Sequence, residues 1–380
     1  MNVDDVIESA QQRTGITDLH TDSFREGLDV VVEAINADPQ TPQREARLFA
    51  ECRRAMMNRL RIDDWFHRHA LGNTAVDRPV FVIGMPRTGT TVLVNLLGQD
   101  VEHCRVLWHW EMDDPVPPVA AEHLCDDPRI EAKVAKLAPL MDRLAYLPHL
   151  ERPTDPVECV HVLAQDFKSL TWYTSTGSTL YNDWYLDKAD LRSAYAHHRR
   201  TLQVLQSNGA DGQWVLKLPS HALHLEALLA VYPDARLVMT HRDPMPAIVS
   251  MCSFARMIHE ANGNRIDMDA MVRDTHRQVL ESALRPVEFV TKHPEVPVYH
   301  VYQRELAEDP LGHVNALREW MGLAPDDDLE RRMRSYLATD WRHPPGSHRY
   351  NAADFGINRP EVNEAFAPYI RQFDVPLESA

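Results

Sequence analysis

The sequence predicts an α/β fold: a parallel sheet flanked by helices, with a helical extension before it and an aromatic-rich helical insertion within it. Three observations support this prediction. Short apolar runs occupy residues 78–84, 213–217 and 235–240, and each is followed by apolar residues at helical spacing. Residues 1–76 have helical spacing throughout. Strand, helix, strand, helix is the order of βαβ units, whose ligand sites lie beyond the carboxyl ends of the strands.

The N-terminal extension divides into three helical stretches, with breaks at Pro39 and Pro42. The apolar positions that define them are Val3, Val6 and Ile7, then Phe24, Leu28, Val31, Val32 and Ile35, then Leu48, Met56, Met57 and Leu60. We expect one domain over residues 1–380. Its parts are the extension to residue 76, a core over 77–355 that includes an aromatic-rich insertion over 100–210, and a tail over 356–380.

The core is predicted from three strand and helix pairs. The run at 78–84 is β-branched and aromatic and ends in glycine, which is typical of a buried parallel strand, and 90–97 follows as a helix. The run at 213–217 precedes a helix through Leu223 and Leu229 that ends before Pro233, and the run at 235–240 precedes a helix over 246–258.

Composition limits the function classes. The chain has 380 residues and a formal net charge of -16, so its long-range field repels nucleic acid and anionic membranes. An anionic ligand therefore needs a local basic pocket. The five cysteines form no close pairs, which favours a reducing compartment and no thiolate metal site. The acidic N-terminus does not resemble a signal peptide, and no apolar run reaches membrane-spanning length, so we expect a cytoplasmic protein without stable membrane insertion.

The segment from Gly84 to Thr91, Gly-Met-Pro-Arg-Thr-Gly-Thr-Thr, has the outline of a phosphate-binding loop between a strand and a helix. Thr90 stands where such loops carry a lysine, so the ammonium that reaches the β- and γ-phosphates of a nucleoside triphosphate is missing. Backbone N–H groups at the helix start can still hold an anion, and Arg87 supplies a cation. The alternative is a simple capped glycine turn. We expect a phosphate-like ligand that is not a magnesium triphosphate.

Residues Pro86, Arg87, Thr88, Gly89, Thr90 and Thr91 resemble the sulfotransferase family, whose 5′-phosphosulfate loop reads P-[KR]-[ST]-G-T-T. The resemblance implies a P-loop-type fold, binding of 3′-phosphoadenosine 5′-phosphosulfate through this loop, and no requirement for a metal. It extends from about Pro79 to Phe355, and the branch that it fits best contains bacterial enzymes related to glycolipid-modifying sulfotransferases.

A second motif supports the resemblance. The family's 3′-phosphate motif places an Arg at the end of a strand and a Ser eight residues later; here these are Arg242 and Ser250. A guanidinium can bind a phosphate through two hydrogen bonds, and a helix hydroxyl can add another. A salt bridge from Arg242 to Asp243 is the alternative. The basic segment over 341–350 is expected to form a third wall of the nucleotide pocket, with His348 and Arg349 as candidates or as solvated surface residues.

Sulfuryl transfer to a hydroxyl requires a base, cations and in-line positioning. Lys217 resembles the lysine that contacts the sulfuryl group in small-molecule sulfotransferases, where a histidine close by is the base; here the histidine is displaced to His221. Other branches place a catalytic glutamate after the loop, which points to Glu111. Flanking Trp108 and Trp110 are expected to desolvate this carboxylate and raise its pKa. Glu111 is the favoured base, His221 the next, and His109 a lesser alternative.

Acceptor-binding insertions of the sulfotransferase family lie where residues 100–210 lie in this chain. The resemblance therefore implies that the aromatic residues of this segment bind a small apolar, phenolic or glycolipid acceptor; the alternative is that they form core. Two rival functions remain open. A nucleotide kinase is disfavoured by the missing lysine at position 90. A non-catalytic nucleotide- or lipid-binding protein is disfavoured by the presence of Glu111, Lys217 and His221 together.

Overall fold

The computed structural model describes residues 1–38, 41–144, 154–210, 212–338 and 351–378, with main-chain description only over 139–144. Five strands form one parallel sheet in the order β2-β3-β1-β4-β5. The strands are β1 (Val80–Gly84), β2 (Cys104–Arg105), β3 (Gln213–Lys217), β4 (Arg236–His241) and β5 (Val298–Tyr302). The predicted α/β fold with a parallel sheet is confirmed.

Helices surround the sheet and make up most of the described chain. The first nine are α1 (Val3–Thr14), α2 (Arg25–Ala37), α3 (Pro42–Arg68), α4 (Thr90–Leu97), α5 (His109–Asp113), α6 (Pro128–Leu144), α7 (Val160–Leu163), α8 (Leu170–Thr176) and α9 (Thr179–Asp187). The others are α10 (Arg192–Leu205), α11 (Leu225–Val231), α12 (Pro244–Ala261), α13 (Met268–Lys292), α14 (Gln303–Glu308), α15 (Pro310–Met321), α16 (Asp327–Ala338), α17 (Arg359–Ala365) and α18 (Ala367–Gln372). Short 3-10 turns include Pro219–Leu223 and Ala352–Phe355.

Local sequence signals place the helix ends. The Asn2 side chain accepts a hydrogen bond from the Asp4 N–H at the start of α1, and Thr41 caps α3 in the same way through the Arg44 N–H. Gly15 ends α1 in the left-handed conformation, with φ at 73°. The helical prediction for residues 1–76 is therefore confirmed for the described residues, and Pro42 begins α3 after the predicted break; Pro39 lies outside the described residues.

The two faces of the sheet bury different hydrophobic clusters because side chains alternate along a strand. Phe81 and Ile83 of β1 belong to a large cluster that also includes buried residues of α1, α2, α3, α10 and α13, whereas Val80 and Val82 belong to a smaller one with α4, α15 and α16. The N-terminal helices thus share a core with one face of the sheet. The loop helix α4 covers the other face.

The two edge strands, β2 and β5, are absent from the predicted elements. Strand β2 has only two residues, which is too short for any periodic signal, and β5 is partly exposed along its length. The helix predicted after the second strand begins at Leu225, because Pro219–Leu223 forms a tighter 3-10 turn, and α12 begins at Pro244 rather than at residue 246. These corrections leave the loop, Lys217 and Arg242 at the carboxyl ends of β1, β3 and β4.

Most aromatic residues of the 100–210 insertion are core. Trp110, Trp172 and Tyr173 are each 2% exposed and Tyr181 and Tyr185 are fully buried. Trp108 and Trp184 are half-buried. The sequence left open whether these aromatic side chains line a pocket or form core. For the buried ones, the prediction that they form core is confirmed.

Candidate active site

The loop after β1 has three residues in the left-handed region of backbone space. Gly84 has φ at 130°, and a Cβ at this position would lie 2.5 Å from the Thr240 carbonyl oxygen, so only glycine permits β1 and β4 to end this close together. Gly89 has φ at 95° at the start of α4. Arg87 has φ at 70°, a conformation that costs a non-glycine residue roughly 1 kcal/mol or more. The loop is built to turn sharply into α4.

The Thr88 side chain supports the loop from inside. It is fully buried, its Oγ1 donates to the Met85 carbonyl oxygen over 2.7 Å, and it lies 2.5 Å from Thr240 Oγ1. Thr240 in turn donates to the Ile83 carbonyl oxygen. The Thr88 hydroxyl is therefore engaged in hydrogen bonds within the protein.

Lys217 ends β3 and points at the start of α4. Its Nζ donates to Thr91 Oγ1 over 3.2 Å and lies 3.6 Å from an oxygen of the Glu158 carboxylate. Lys217 is buried, whereas the Glu158 side chain is 29% exposed. The Cys159 N–H donates to the Lys217 carbonyl oxygen, which holds the Glu158 segment against β3. A cation, a hydroxyl and a solvent-accessible carboxylate thus meet beside the loop.

Arg87, Arg242 and Ser250 are brought together on the other side of the loop. Arg87 Nε donates to Ser250 Oγ over 2.9 Å, and an Arg242 terminal nitrogen donates to the Arg87 carbonyl oxygen over 3.1 Å. Arg242 makes its ion pair with Glu378 and not with Asp243, whose carboxylate instead caps α12 and binds Arg359. The alternative of an Arg242–Asp243 salt bridge is therefore wrong.

Three cationic side chains, from Arg87, Lys217 and Arg242, lie at the carboxyl ends of the central strands. Lys217 ends β3, Arg87 follows β1 and Arg242 follows β4, and these three strands are adjacent. Pro86 and Thr91 are partly exposed in this region, whereas Thr90 is buried. A protein of net charge -16 thus places three cationic side chains at the carboxyl ends of its three central strands.

Glu111, the favoured base of the sequence analysis, lies elsewhere. It is 1% exposed, as its tryptophan neighbours led us to expect, but its carboxylate is paired with the buried Arg105 over 2.5 Å. The same guanidinium donates to the Ala210 carbonyl oxygen and lies over the Trp214 ring. Trp214 is three residues before Lys217 in β3, which is about 10 Å along an extended strand. The Glu111 carboxylate is held near the amino end of β3.

His221 is fully buried on the sheet face opposite α4. Its Nδ1 lies 2.8 Å from the Tyr195 hydroxyl, and its ring packs edge-on against Phe81. Burial lowers the pKa of His221 well below 6.5, and the neighbouring His198 adds to the effect. Lys217 and His221 are therefore separated by the sheet, although only four residues apart.

Three further residues were predicted to lie at the site: His109, His348 and Arg349. His348 and Arg349 lie outside the described residues. His109 stacks on His161, with 6.0 Å between ring centroids.

In the described ranges no group of three or more His, Cys, Asp or Glu side chains is arranged to hold a metal ion. No helix in the same part of the chain is both long and apolar enough to cross a membrane.

Two residues near the predicted motifs were missed by the sequence analysis. Glu158 lies in an unremarkable Pro-Val-Glu-Cys segment, and Glu378 lies in the tail, 136 residues after its partner Arg242. Only tertiary pairing brings either residue to the site, through the Cys159 to Lys217 hydrogen bond and through the return of the chain after α18. No local spacing signals these contacts.

Comparison with known proteins agrees with the geometry. The family model described as "Sulfotransferase family" matches residues 79–328. The chain is 35% identical to sulfotransferase STF9 from Mycobacterium avium, with a TM-score of 0.90 over 99% of this chain and 98% of that one. It is 29% identical to STF1 from Mycobacterium tuberculosis H37Rv, with a TM-score of 0.83 over 97% and 98%.

A more distant relative is the omega-hydroxy-beta-dihydromenaquinone-9 sulfotransferase Stf3 of Mycobacterium bovis and Mycobacterium tuberculosis. The identity is 24% over 297 residues, which cover 72% of this chain and 70% of the relative. The solved relatives also span the N-terminal helices, which the resemblance in the sequence left out. Because the family model covers well over half of the chain and a solved relative matches almost all of it, this protein belongs to the sulfotransferase family.

Proposed function

We propose that the chain transfers a sulfuryl group from 3′-phosphoadenosine 5′-phosphosulfate to a hydroxyl of an apolar acceptor. The observation that carries this proposal is the convergence of Arg87, Lys217 and Arg242 at three adjacent strand ends around a loop that has Thr90 in place of the kinase lysine. Three cations suit a donor with two separate anionic groups, and the missing lysine disfavours a nucleoside triphosphate.

The loop and the Arg242–Ser250 pair are proposed to bind different ends of the donor. The loop backbone from Arg87 to Thr91, with the helix α4 dipole, binds the 5′-phosphosulfate, and Arg242 with Ser250 binds the 3′-phosphate. The bond between Arg87 Nε and Ser250 Oγ supports this division because it links the two phosphate sites directly. His348 and Arg349 complete the pocket in this proposal as its third wall.

Transfer requires that the acceptor oxygen lose its proton as it attacks sulfur, while the bond from sulfur to the 5′-phosphate oxygen breaks and adenosine 3′,5′-bisphosphate leaves. Lys217 is proposed to neutralise charge on the transferring group, since its ammonium contacts Thr91 at the loop. Glu158 is proposed as the base, because its partly exposed carboxylate lies 3.6 Å from that ammonium. Glu111 and His221 are disfavoured for this role by their burial and their partners.

A lipid-like alcohol is the proposed acceptor class. The Stf3 relatives are named for a hydroxylated menaquinone derivative, which is an apolar molecule with a hydroxyl group. Small phenols and glycolipids belong to the same chemical range of apolar hydroxyl compounds. The net charge of -16 repels anionic membranes, so we infer transient contact with a lipid acceptor and not stable insertion.

Calorimetry with adenosine 3′,5′-bisphosphate tests the donor assignment. The unaltered protein should bind it without magnesium, and Arg87→Ala should abolish detectable binding because the substitution removes both the loop cation and the Ser250 contact. Arg334→Ala is the matched control, since Arg334 is an exposed arginine paired with Glu330 on α16. Retained affinity in Arg87→Ala would contradict the assignment.

A transfer assay with labelled sulfate donor then tests catalysis against a panel of lipid and phenolic alcohols. Labelled product without magnesium supports the enzyme. Binding of the bisphosphate without transfer to any acceptor would favour the non-catalytic alternative, and hydrolysis of ATP with magnesium would favour a kinase.

A further inference from the structure

The segment after α18 returns to the end of β4. Val375 is buried, and its N–H donates to the Ile370 carbonyl oxygen as the chain leaves the helix. Three residues later, the Glu378 N–H donates to the Asp243 carboxylate over 2.8 Å, and the same carboxylate accepts from Arg359. Because Asp243 is almost completely buried, this hydrogen bond anchors the Glu378 main chain at a fixed place beside Arg242.

The Glu378 side chain uses this anchor to reach the guanidinium of Arg242. One carboxylate oxygen lies 2.9 Å from Arg242 Nε, and the pair is partly exposed, with 21% of the Arg242 side chain and 43% of the Glu378 side chain accessible. Arg242 also donates to the Arg87 carbonyl oxygen, so the ion pair adjoins the loop. An acidic side chain of the protein therefore occupies one hydrogen-bonding edge of the arginine assigned above to the 3′-phosphate.

We propose that Glu378 is an internal competitor of the nucleotide 3′-phosphate for Arg242. This inference rests on the proposed function, because it requires that Arg242 bind that phosphate. A terminal phosphate carries close to two negative charges at neutral pH and offers three acceptor oxygens, whereas Glu378 carries one charge on a half-exposed side chain. The phosphate displaces the carboxylate from the guanidinium, but the backbone anchor at Asp243 keeps the carboxylate close by.

The consequence is that Glu378 weakens binding of every ligand with a 3′-phosphate and hastens its departure. Two anions that share one guanidinium repel each other, and affinity changes of this kind fall mainly on the dissociation rate. Return of the carboxylate to Arg242 would also satisfy the guanidinium while the product leaves. Ligands without a 3′-phosphate leave the ion pair intact, so Glu378 should not affect them.

The test compares the full chain with Glu378→Gln, which keeps the size of the side chain and the backbone N–H that binds Asp243. We expect the Kd for adenosine 3′,5′-bisphosphate to fall about three- to tenfold in the variant, and its dissociation rate in stopped flow to fall by a similar factor. The Kd for adenosine 5′-monophosphate should change less than twofold. Glu364→Gln, an exposed glutamate on α17, is the matched control and should behave as the unaltered chain.

The outcomes separate this inference from the proposed function. An equal or higher Kd for the bisphosphate in Glu378→Gln, with clear binding by both proteins, overturns the competitor role alone. An equal gain for the monophosphate also overturns it, since the effect would then not involve the 3′-phosphate. Absence of bisphosphate binding in both proteins overturns the proposed function and this inference with it.

Discussion

Lys217 and His221 lie on opposite faces of the same sheet, at the end of the same strand. Lys217 contacts Thr91 and lies near the partly exposed Glu158. His221 is enclosed by Phe81 and Tyr195, and its pKa is lowered well below 6.5 by burial. Both are titratable and both stand in one short motif. The face of the sheet therefore decides which of the two side chains lies beside the loop.

The two glutamates repeat the same contrast. Glu158 is partly exposed and lies near a cation at the loop, whereas Glu111 is buried with Arg105 near the amino end of β3. We propose a structural role for Glu111, because loss of a buried carboxylate that neutralises a buried guanidinium leaves an uncompensated charge in the core. A carboxylate at the edge of the loop can exchange protons with an acceptor.

The largest expected effect separates these glutamates. Glu158→Gln should lower kcat by about 10²- to 10⁴-fold, as expected for loss of a general base, with an unchanged melting temperature. Glu111→Gln should instead lower the free energy of unfolding by about 3 kcal/mol because it leaves Arg105 without its charge partner, while kcat per folded molecule stays within a few-fold. The measurements are sulfate transfer and chemical denaturation. An inactive but stable Glu111→Gln beside an active Glu158→Gln would restore Glu111 as the base.

Loss of the lysine should be the next largest effect. Lys217→Met keeps the apolar length of the side chain but removes the ammonium, so we expect kcat/KM to fall about 10²- to 10³-fold, as for removal of one donor that stabilises transition-state charge. Steady-state transfer rates measure this. Lys136→Met is the control, since Lys136 is an exposed lysine that pairs with Asp113 on α5. A loss below tenfold would place Lys217 outside the reacting centre.

The sequence predicted those elements and site residues that a local pattern or a fixed spacing along the chain specifies. The three central strands, α4 and the arrangement of the loop with Arg242 and Ser250 follow from short apolar runs and fixed spacings. The positions of Glu111 and His221 were not predictable, because a motif does not specify which side of the sheet a residue faces after a turn such as Pro219–Leu223. Glu158 and Glu378 reach the site only through tertiary contacts.

His221 should contribute to stability and not to turnover. His221→Asn removes the ring that packs on Phe81 and the Tyr195 hydrogen bond, so we expect the free energy of unfolding to fall by about 1–3 kcal/mol. The value of kcat/KM should remain within about twofold. Urea denaturation and sulfate transfer on the same preparation test both parts. A large loss of kcat at unchanged stability would show that the imidazole reaches the acceptor.

The smallest effect concerns the pH dependence of stability. A buried neutral histidine has a lower pKa in the folded chain than in the unfolded chain, so the unfolded state binds the extra proton below about pH 6.5 and stability falls as the pH falls. His198 behaves in the same way, with a pKa lowered to about 3 by burial. Removing one such group in His221→Asn should therefore reduce the slope of unfolding free energy against pH by up to about 1.4 kcal/mol per unit just below about pH 6.5.

Lys217→Met provides the contrast on the other face, because it leaves every buried imidazole in place, and its slope should equal that of the unaltered chain. Denaturation series at several pH values measure all three slopes. If the slope of unfolding free energy against pH were unchanged in His221→Asn, the imidazole would have to be protonated in the folded chain. The proposed contrast between a neutral His221 in the core and a charged Lys217 at the loop would then be wrong.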